Sequence, residues 1–258
     1  MILAYLFLQR SSHKNLLVRS LRIQPYQLSF DIHPLDKIQL PQHLTNDIDD
    51  VPPGGRRMIG DAAEIIRESG KWREAVQGCL AAGSFADDCV GHVLNALNNS
   101  RYRDDTIVVL WGDHGYDICE QTFAKSALWQ QTTRTPLIIQ LPKELGGKPF
   151  NDNCKLPVSL IDIYPTLVDL CGLPKNQEIE GRSIVPLLRN PQTDWPYPAL
   201  ITHSPHWHGS NHAVRSEKFY YIQYNKGGEE LYDMSNDSNQ LHNLAADSRY
   251  AETKKKLR

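Results

Sequence analysis

The sequence predicts an α/β protein: a mostly parallel sheet flanked by helices, then a small C-terminal antiparallel sheet with a helix of its own. Three observations carry this. The run Thr106-Ile-Val-Val-Leu-Trp111 is β-branched or aliphatic almost throughout, the pattern of a buried strand. Ahead of it, Trp72, Val76, Leu80, Ala86, Val90, Val93, Leu94 and Leu97 recur mainly at three and four, the period of a helix buried on one face. Further on, His212 to Tyr224 alternates polar and apolar and meets Asn225-Lys-Gly-Gly228, a hairpin signal.

Taken in order, Met1 to Leu8 is an apolar run too short to span a bilayer. Gln9-Arg10 close it and no basic stretch precedes it, so it makes a poor signal peptide; a strand of the sheet is the expectation. Pro34, Pro41, Pro52, Pro53 and Gly54-Gly55 make residues 34–58 extended and loop-like. A helix follows over 71–97, ended by Asn98-Asn99. Next come strand 106–111, a loop over 112–135, a second apolar strand at 137–141 and a helix at 161–171. This alternation implies that both strands lie in one parallel sheet with helices on its faces. Pro191, Pro196, Pro198 and Pro205 mark a linker-like stretch, dividing the chain into a main part, 1–195, and a small antiparallel subdomain, 196–258. Residues 212–224 and 230–233 form the antiparallel pair, and Tyr250 to Leu257 a terminal helix.

Composition narrows the function. A chain of 258 residues with 40 % hydrophobic and 22 % charged residues can bury one large core, or a core plus a small domain. A net charge of −2 argues against nucleic-acid binding, because no basic surplus exists to neutralise phosphates. The five cysteines, 79, 89, 119, 154 and 171, form no C-x-x-C spacing and, being odd in number, no disulfide framework.

The chemistry gathers at Asp113-His114-Gly115, delivered straight from the first strand. In open α/β sheets ligands sit at the carboxyl ends of parallel strands. A carboxylate and an imidazole side by side there can both reach a divalent cation. The competing reading is a strand-end turn in which Asp113 caps the next segment and His114 is incidental. His203, His206, His208 and His212 form a second concentration of histidine, without the fixed helical spacing of a zinc site.

Five ordered blocks resemble the sulfatase family of the alkaline-phosphatase-like superfamily. They are the strand with Asp113-His114-Gly115; Lys125 and then Arg134-Thr-Pro136-Leu-Ile-Ile; Pro157-Val-Ser-Leu-Ile-Asp162 to Pro174; Glu180-Gly-Arg-Ser183 to Leu188; and Glu230-Leu-Tyr-Asp233 with Asn236-Asp237 and Asn243-Leu-Ala245. Upstream, Pro34-Leu-Asp-Lys-Ile-Gln-Leu-Pro41 and Asp49-Asp-Val-Pro-Pro53 resemble the iduronate-2-sulfatase-like branch. The resemblance covers residues 34 to 258.

The resemblance implies a sulfuric ester hydrolase of alkaline-phosphatase-like fold acting on a sulfated carbohydrate or another small sulfate ester. Asp113 and His114 are then ligands of a divalent metal, calcium in the usual family member, Lys125 a catalytic cation on the sulfate, and His212 a substrate contact in the loop over the pocket mouth. Arg134 anchors the loop. Asp117 stands where the family commonly has His, so it must point away from a sulfate pocket or else the pocket has decayed. The family also carries a Cys-x-Pro-x-Arg or Ser-x-Pro-x-Arg motif, whose first residue becomes formylglycine, and paired aspartates; neither is found among these residues. The expectation is therefore a C-terminal portion with part of a site, inactive alone. A phosphate-ester hydrolase of the same superfamily and an inactive homologue are the alternatives.

Overall fold

The computed structural model describes residues 2–7, 28–42, 44, 46–119, 122, 125–147, 153–203 and 210–258. Its first sheet has the strand order β1-β2-β3. β1 (Ile2–Phe7) runs parallel to the central β2 (Thr106–Trp111), with Ile2 opposite Thr106 and Phe7 opposite Trp111. β3 (Leu137–Gln140) lies on the other side of β2 and is antiparallel, Val108 opposite Gln140 and Trp111 opposite Leu137. The expectation that 106–111 and 137–141 are parallel is thus corrected, and the connection explains why. A parallel neighbour needs a crossover that returns the chain to the far end of the sheet. Residues 112–136 instead come back where they left, Gly112 N–H donating to the Pro136 carbonyl at 3.2 Å.

The long helix α1 runs from Trp72 to Asn98, one residue displaced from its expected span, but its apolar stripe is not buried along its whole length. Its buried residues are Trp72, Val76 and Ala81. Trp72 and Val76 meet Ile38, Leu40, Ile66 and Ile118, so the covered end is the one against the loop that follows β2. Farther along, Val93 is 48 % exposed. Ile107 and Val109 of β2 are fully buried against Ile163 and Leu167 of helix α2 (Ile163–Leu170). The buried Asp162 carboxylate fixes the start of α2, accepting from Ser159 N at 2.9 Å and Arg182 N at 2.8 Å.

The second sheet is antiparallel throughout, in the order β4-β5-β6-β7: β4 (Ala199–His203), β5 (Asn211–Arg215), β6 (Phe219–Gln223) and β7 (Glu229–Asp233). The alternating run 212–224 is two strands rather than one, broken where Ser216 caps its own turn: Phe219 N donates to Ser216 Oγ at 3.0 Å. The predicted hairpin sits between β6 and β7, with Gly227 at φ 86° and Gly228 at φ 95°, conformations that cost a side-chain-bearing residue energy. One face packs Tyr220, Ile222 and Tyr232 onto Ala127, Leu128 and Trp129. The other packs Tyr221 and Leu231 onto Tyr250 and Leu257, at the two ends of the terminal segment that holds helix α3 (Ala251–Leu257). No helix among the described residues is long and apolar enough to cross a membrane.

Candidate active site

Asp113 and His114 stand in the turn that leaves the carboxyl end of β2. Asp113 Oδ1 accepts the His114 backbone N–H at 3.1 Å, while Oδ2 lies 3.7 Å from His114 Nε2. His114 Nδ1 is 2.7 Å from the Gly115 carbonyl. A carbonyl oxygen only accepts, so Nδ1 carries the hydrogen and a neutral ring presents its lone pair at Nε2. A carboxylate oxygen and an imidazole nitrogen thus lie 3.7 Å apart, the ring fixed by its second nitrogen, as metal-ligating histidines are. The two side chains are 40 % and 29 % exposed, so an ion from solvent can reach them. They fit two positions of a coordination sphere. Among the described residues no group of three or more His, Cys, Asp or Glu gathers around a possible ion.

The turn is held from below. Gly115 N–H donates to Thr132 O at 2.8 Å, and a Cβ on Gly115 would sit 2.2 Å from Gln131 O and 2.4 Å from Arg134 O, a contact only glycine permits. Thr132 belongs to a single helical turn, Gln130–Thr133, which the small sheet bolts in place. Trp129 Nε1 donates to Glu230 Oε2 at 2.9 Å, Tyr220 OH to Leu128 O at 2.7 Å, and Gln130 N to Gln240 Oε1 at 2.6 Å. Glu230 is fully buried and also accepts from the hydroxyls of Tyr224 and Tyr232, each at 2.5 Å. Burial pushes the Glu230 carboxyl up, against the pull of those three donors, and pushes the Tyr224 and Tyr232 phenols up as well. Sequence reasoning took Glu230 only as a strand residue. Each face of Glu230-Leu-Tyr-Asp233 carries one acidic and one apolar residue, so alternation does not single out Glu230 as interior.

The other expected site residues are distributed differently. Lys125 is exposed and leads into the buried Ala127-Leu128-Trp129. His212 is exposed on β5, its Nδ1 3.2 Å from Thr202 Oγ1. It stands opposite Thr202 and Gln223, whereas Ala213 stands opposite Ile201 and Ile222. Cross-strand partners share a face, and Ala213 and Ile222 belong to the face that takes Leu128 and Trp129. The structure thus brings Asp113 and His114 together and sets His212 on the opposite face of the small sheet. Asp117 points inward: it is buried, accepts from Thr122 Oγ1 at 2.6 Å and Cys119 N at 2.9 Å, and burial pushes its carboxyl up. It organises the loop. Arg134 is exposed, its backbone tied to Gln130 O at 2.7 Å. His206 and His208 lie outside the described residues.

Comparison with known proteins shows which family the chain belongs to. Residues 40–173 match the Sulfatase family model, and residues 112–258 match the model for N-sulphoglucosamine sulphohydrolase, C-terminal. The chain belongs to the sulfatase family. It is 38 % identical over 221 residues to a sulfatase of Formosa agariphila, covering 84 % of this chain and 42 % of that protein. An N-acetylglucosamine-6-O-sulfatase of Bacteroides thetaiotaomicron is 30 % identical over 208 residues, 77 % of this chain and 37 % of that protein. The chain therefore spans about two fifths of these relatives' length. A solved structure in complex with D-glucosamine-2-N,6-O-disulfate superimposes with a TM-score of 0.61 at 27 % identity, over 73 % of this chain and 40 % of that one. The fold is thus alkaline-phosphatase-like, as the sequence blocks implied.

Proposed function

We propose that the chain carries the cation- and sulfate-binding side of a sulfuric ester hydrolase site whose substrate is a sulfated carbohydrate. The observation that carries this is the Asp113 Oδ2 and His114 Nε2 pair, 3.7 Å apart at the end of β2, in a chain of the sulfatase family. A divalent cation, calcium in this proposal, supplies charge neutralisation on the sulfate oxygens when bound. Asp113 and His114 hold it. Lys125 brings a mobile point charge to the sulfate and stabilises charge moving to the leaving oxygen. His212, on the far face of the small sheet, serves as an outer substrate contact. The segment Gln130–Thr133 and the small subdomain, residues 196–258, keep the turn in position.

The sugar comes from chemistry printed for relatives: one is named for N-acetylglucosamine 6-O-sulfate and a neighbour is bound to a glucosamine disulfate. The finer placement in the iduronate-2-sulfatase-like branch rests on the blocks Pro34 to Pro41 and Asp49 to Pro53. No Cys-x-Pro-x-Arg or Ser-x-Pro-x-Arg sequence occurs in the 258 residues, so they supply binding and charge neutralisation but not the attack on sulfur. Residues 1–258 are expected to bind calcium, and to bind a sulfated sugar more tightly with calcium present, by calorimetry. Asp113→Ala, His114→Ala and Lys125→Ala each weaken that binding, His212→Ala least. Turnover of 4-nitrocatechol sulfate or of a sulfated uronate disaccharide stays at the rate of a calcium control. Calcium binding that survives both Asp113→Ala and His114→Ala sinks the metal assignment. Turnover abolished by Lys125→Ala sinks the division of labour.

A further inference from the structure

The proline-rich stretch before β4, linker-like in sequence, builds one wall of a cleft of about 280 Å³. Asp194, Trp195 and Tyr197 line that wall, and Glu217 and Lys218 in the turn between β5 and β6 line the other. We propose that this cleft is a saccharide subsite, separate from the Asp113–His114 turn, and that it takes a sugar ring carrying an anionic substituent. It rests on the sulfated-carbohydrate proposal for the identity of the sugar.

The chemistry of the walls argues for such a ligand. Trp195 and Tyr197 meet edge to face, centroids 5.1 Å apart at 78°, and Tyr197 is 42 % exposed. Two aromatic rings at a right angle offer an apolar corner to the C–H face of a pyranose, while polar groups at the rim meet its edge. Pro196 and Pro198 flank Tyr197 and fix the backbone that presents the rings, so little ordering entropy is left to lose on binding. Asp194 and Glu217 bring carboxylates that accept from sugar hydroxyls. Arg182 lies over the Tyr197 ring at 4.2 Å. Stacking engages the guanidinium's face, and its N–H edge is the part that binds a sulfate or carboxylate in forked geometry. Lys218, 3.8 Å from Asp233 and 5.3 Å from the Phe219 ring, adds a second cation at the rim.

The cleft is also tied to the metal turn. Arg215, the residue before Ser216, donates from Nε to Gln130 Oε1 at 3.2 Å, and Thr132, two residues on, holds Gly115 N–H at 2.8 Å. The same short segment thus braces both places. The test titrates residues 1–258 with D-glucosamine-2-N,6-O-disulfate and follows the Trp195 indole N–H resonance, assigned with Trp195→Phe. A saturable shift is expected, at least tenfold weaker in affinity with Arg182→Ala or with unsulfated glucosamine, and unchanged when calcium is removed with EDTA. No shift at millimolar sugar overturns the subsite. Equal affinity for glucosamine, or for Arg182→Ala, overturns the anionic recognition. A shift lost when calcium is removed with EDTA overturns the separateness. A Trp195 shift without calcium binding at Asp113 sinks only the function proposed above; calcium-dependent binding without the shift sinks only the subsite.

Discussion

Two carboxylates sit on either side of the segment 125–135, and their surroundings are opposite. Asp113 is 40 % exposed, and its Oδ2 lies 3.7 Å from His114 Nε2. Glu230 is fully buried, with Trp129, Tyr224 and Tyr232 all donating to it. A buried carboxylate costs several kcal/mol unless its acceptor sites are filled, and here neutral donors fill them. Glu230 is consequently an anchor. Asp113 keeps acceptor capacity in reach of solvent, which is what a ligand of an incoming cation needs. The same side-chain chemistry holds the loop together on one side and stays available on the other.

The largest effect should come from breaking the anchor. Glu230→Ala leaves three buried donors without a partner, at about 1–3 kcal/mol each before relaxation. A loss on the order of 4 kcal/mol in urea unfolding is expected. A loss under about 1 kcal/mol would mean that water or a neighbour replaces the carboxylate, and the contrast with Asp113 would lose its basis. Next comes Gly115→Ala. The added methyl meets two backbone carbonyls, which cannot swing aside as a side chain can, so a cost of about 2–3 kcal/mol is expected, with calcium binding lost alongside. An unchanged stability and affinity would show that the turn is not clamped to Gln130–Thr133.

Much of this was legible in the sequence, for physical reasons that differ by element. Thr106–Trp111 announces itself through an unbroken apolar run, α1 through its period, the helix at Ile163–Leu170 through the family resemblance, and Asp113-His114-Gly115 through its place at a strand end. The antiparallel sense of β3 was not legible, because periodicity marks a strand but not where its connection turns back. The four strands of the second sheet were not legible as such, because Ser216-Glu217-Lys218 interrupts the alternation without a glycine or proline and β4 lies among prolines that mark a linker. The Glu230 anchor depends on partners far away in the chain, Trp129 among them, and one sequence does not reveal such pairings. Asp117 is a milder case: the sequence has it pointing away from a sulfate pocket or marking a decayed one, and the structure buries it against Thr122.

A pH series sharpens the comparison more gently. Burial is the leading influence on Glu230 and raises its pKa above the ordinary 4.5. The folded state then holds that proton more tightly than the unfolded state does. Its contribution to stability is full below the ordinary value and is lost as pH rises through the raised folded value. Glu229 and Asp247, whose pKa values are lowered, act with the opposite sign, so the profile of Glu230→Gln must be subtracted. Wild type minus variant should fall as pH rises from 4.5 towards neutrality. A difference that rises would show the three donors outweighing burial.

The smallest stability change is the one expected at Asp113, and its smallness is informative. The Asp113 carboxylate is partly exposed and bonded to its neighbour's backbone N–H. Asp113→Asn keeps the shape and an acceptor oxygen but removes the charge. An exposed ion pair contributes only about 0–1 kcal/mol, and substitutions away from buried networks usually stay within about 0.5 kcal/mol. Unfolding should therefore shift by no more than that. Calcium affinity should fall by at least tenfold, because the ion selects for charged oxygen ligands. The two measurements on one variant separate the roles cleanly. Weakened folding together with weakened binding would class Asp113 with Glu230 as scaffold, whereas intact folding with lost binding keeps it as a ligand of the site.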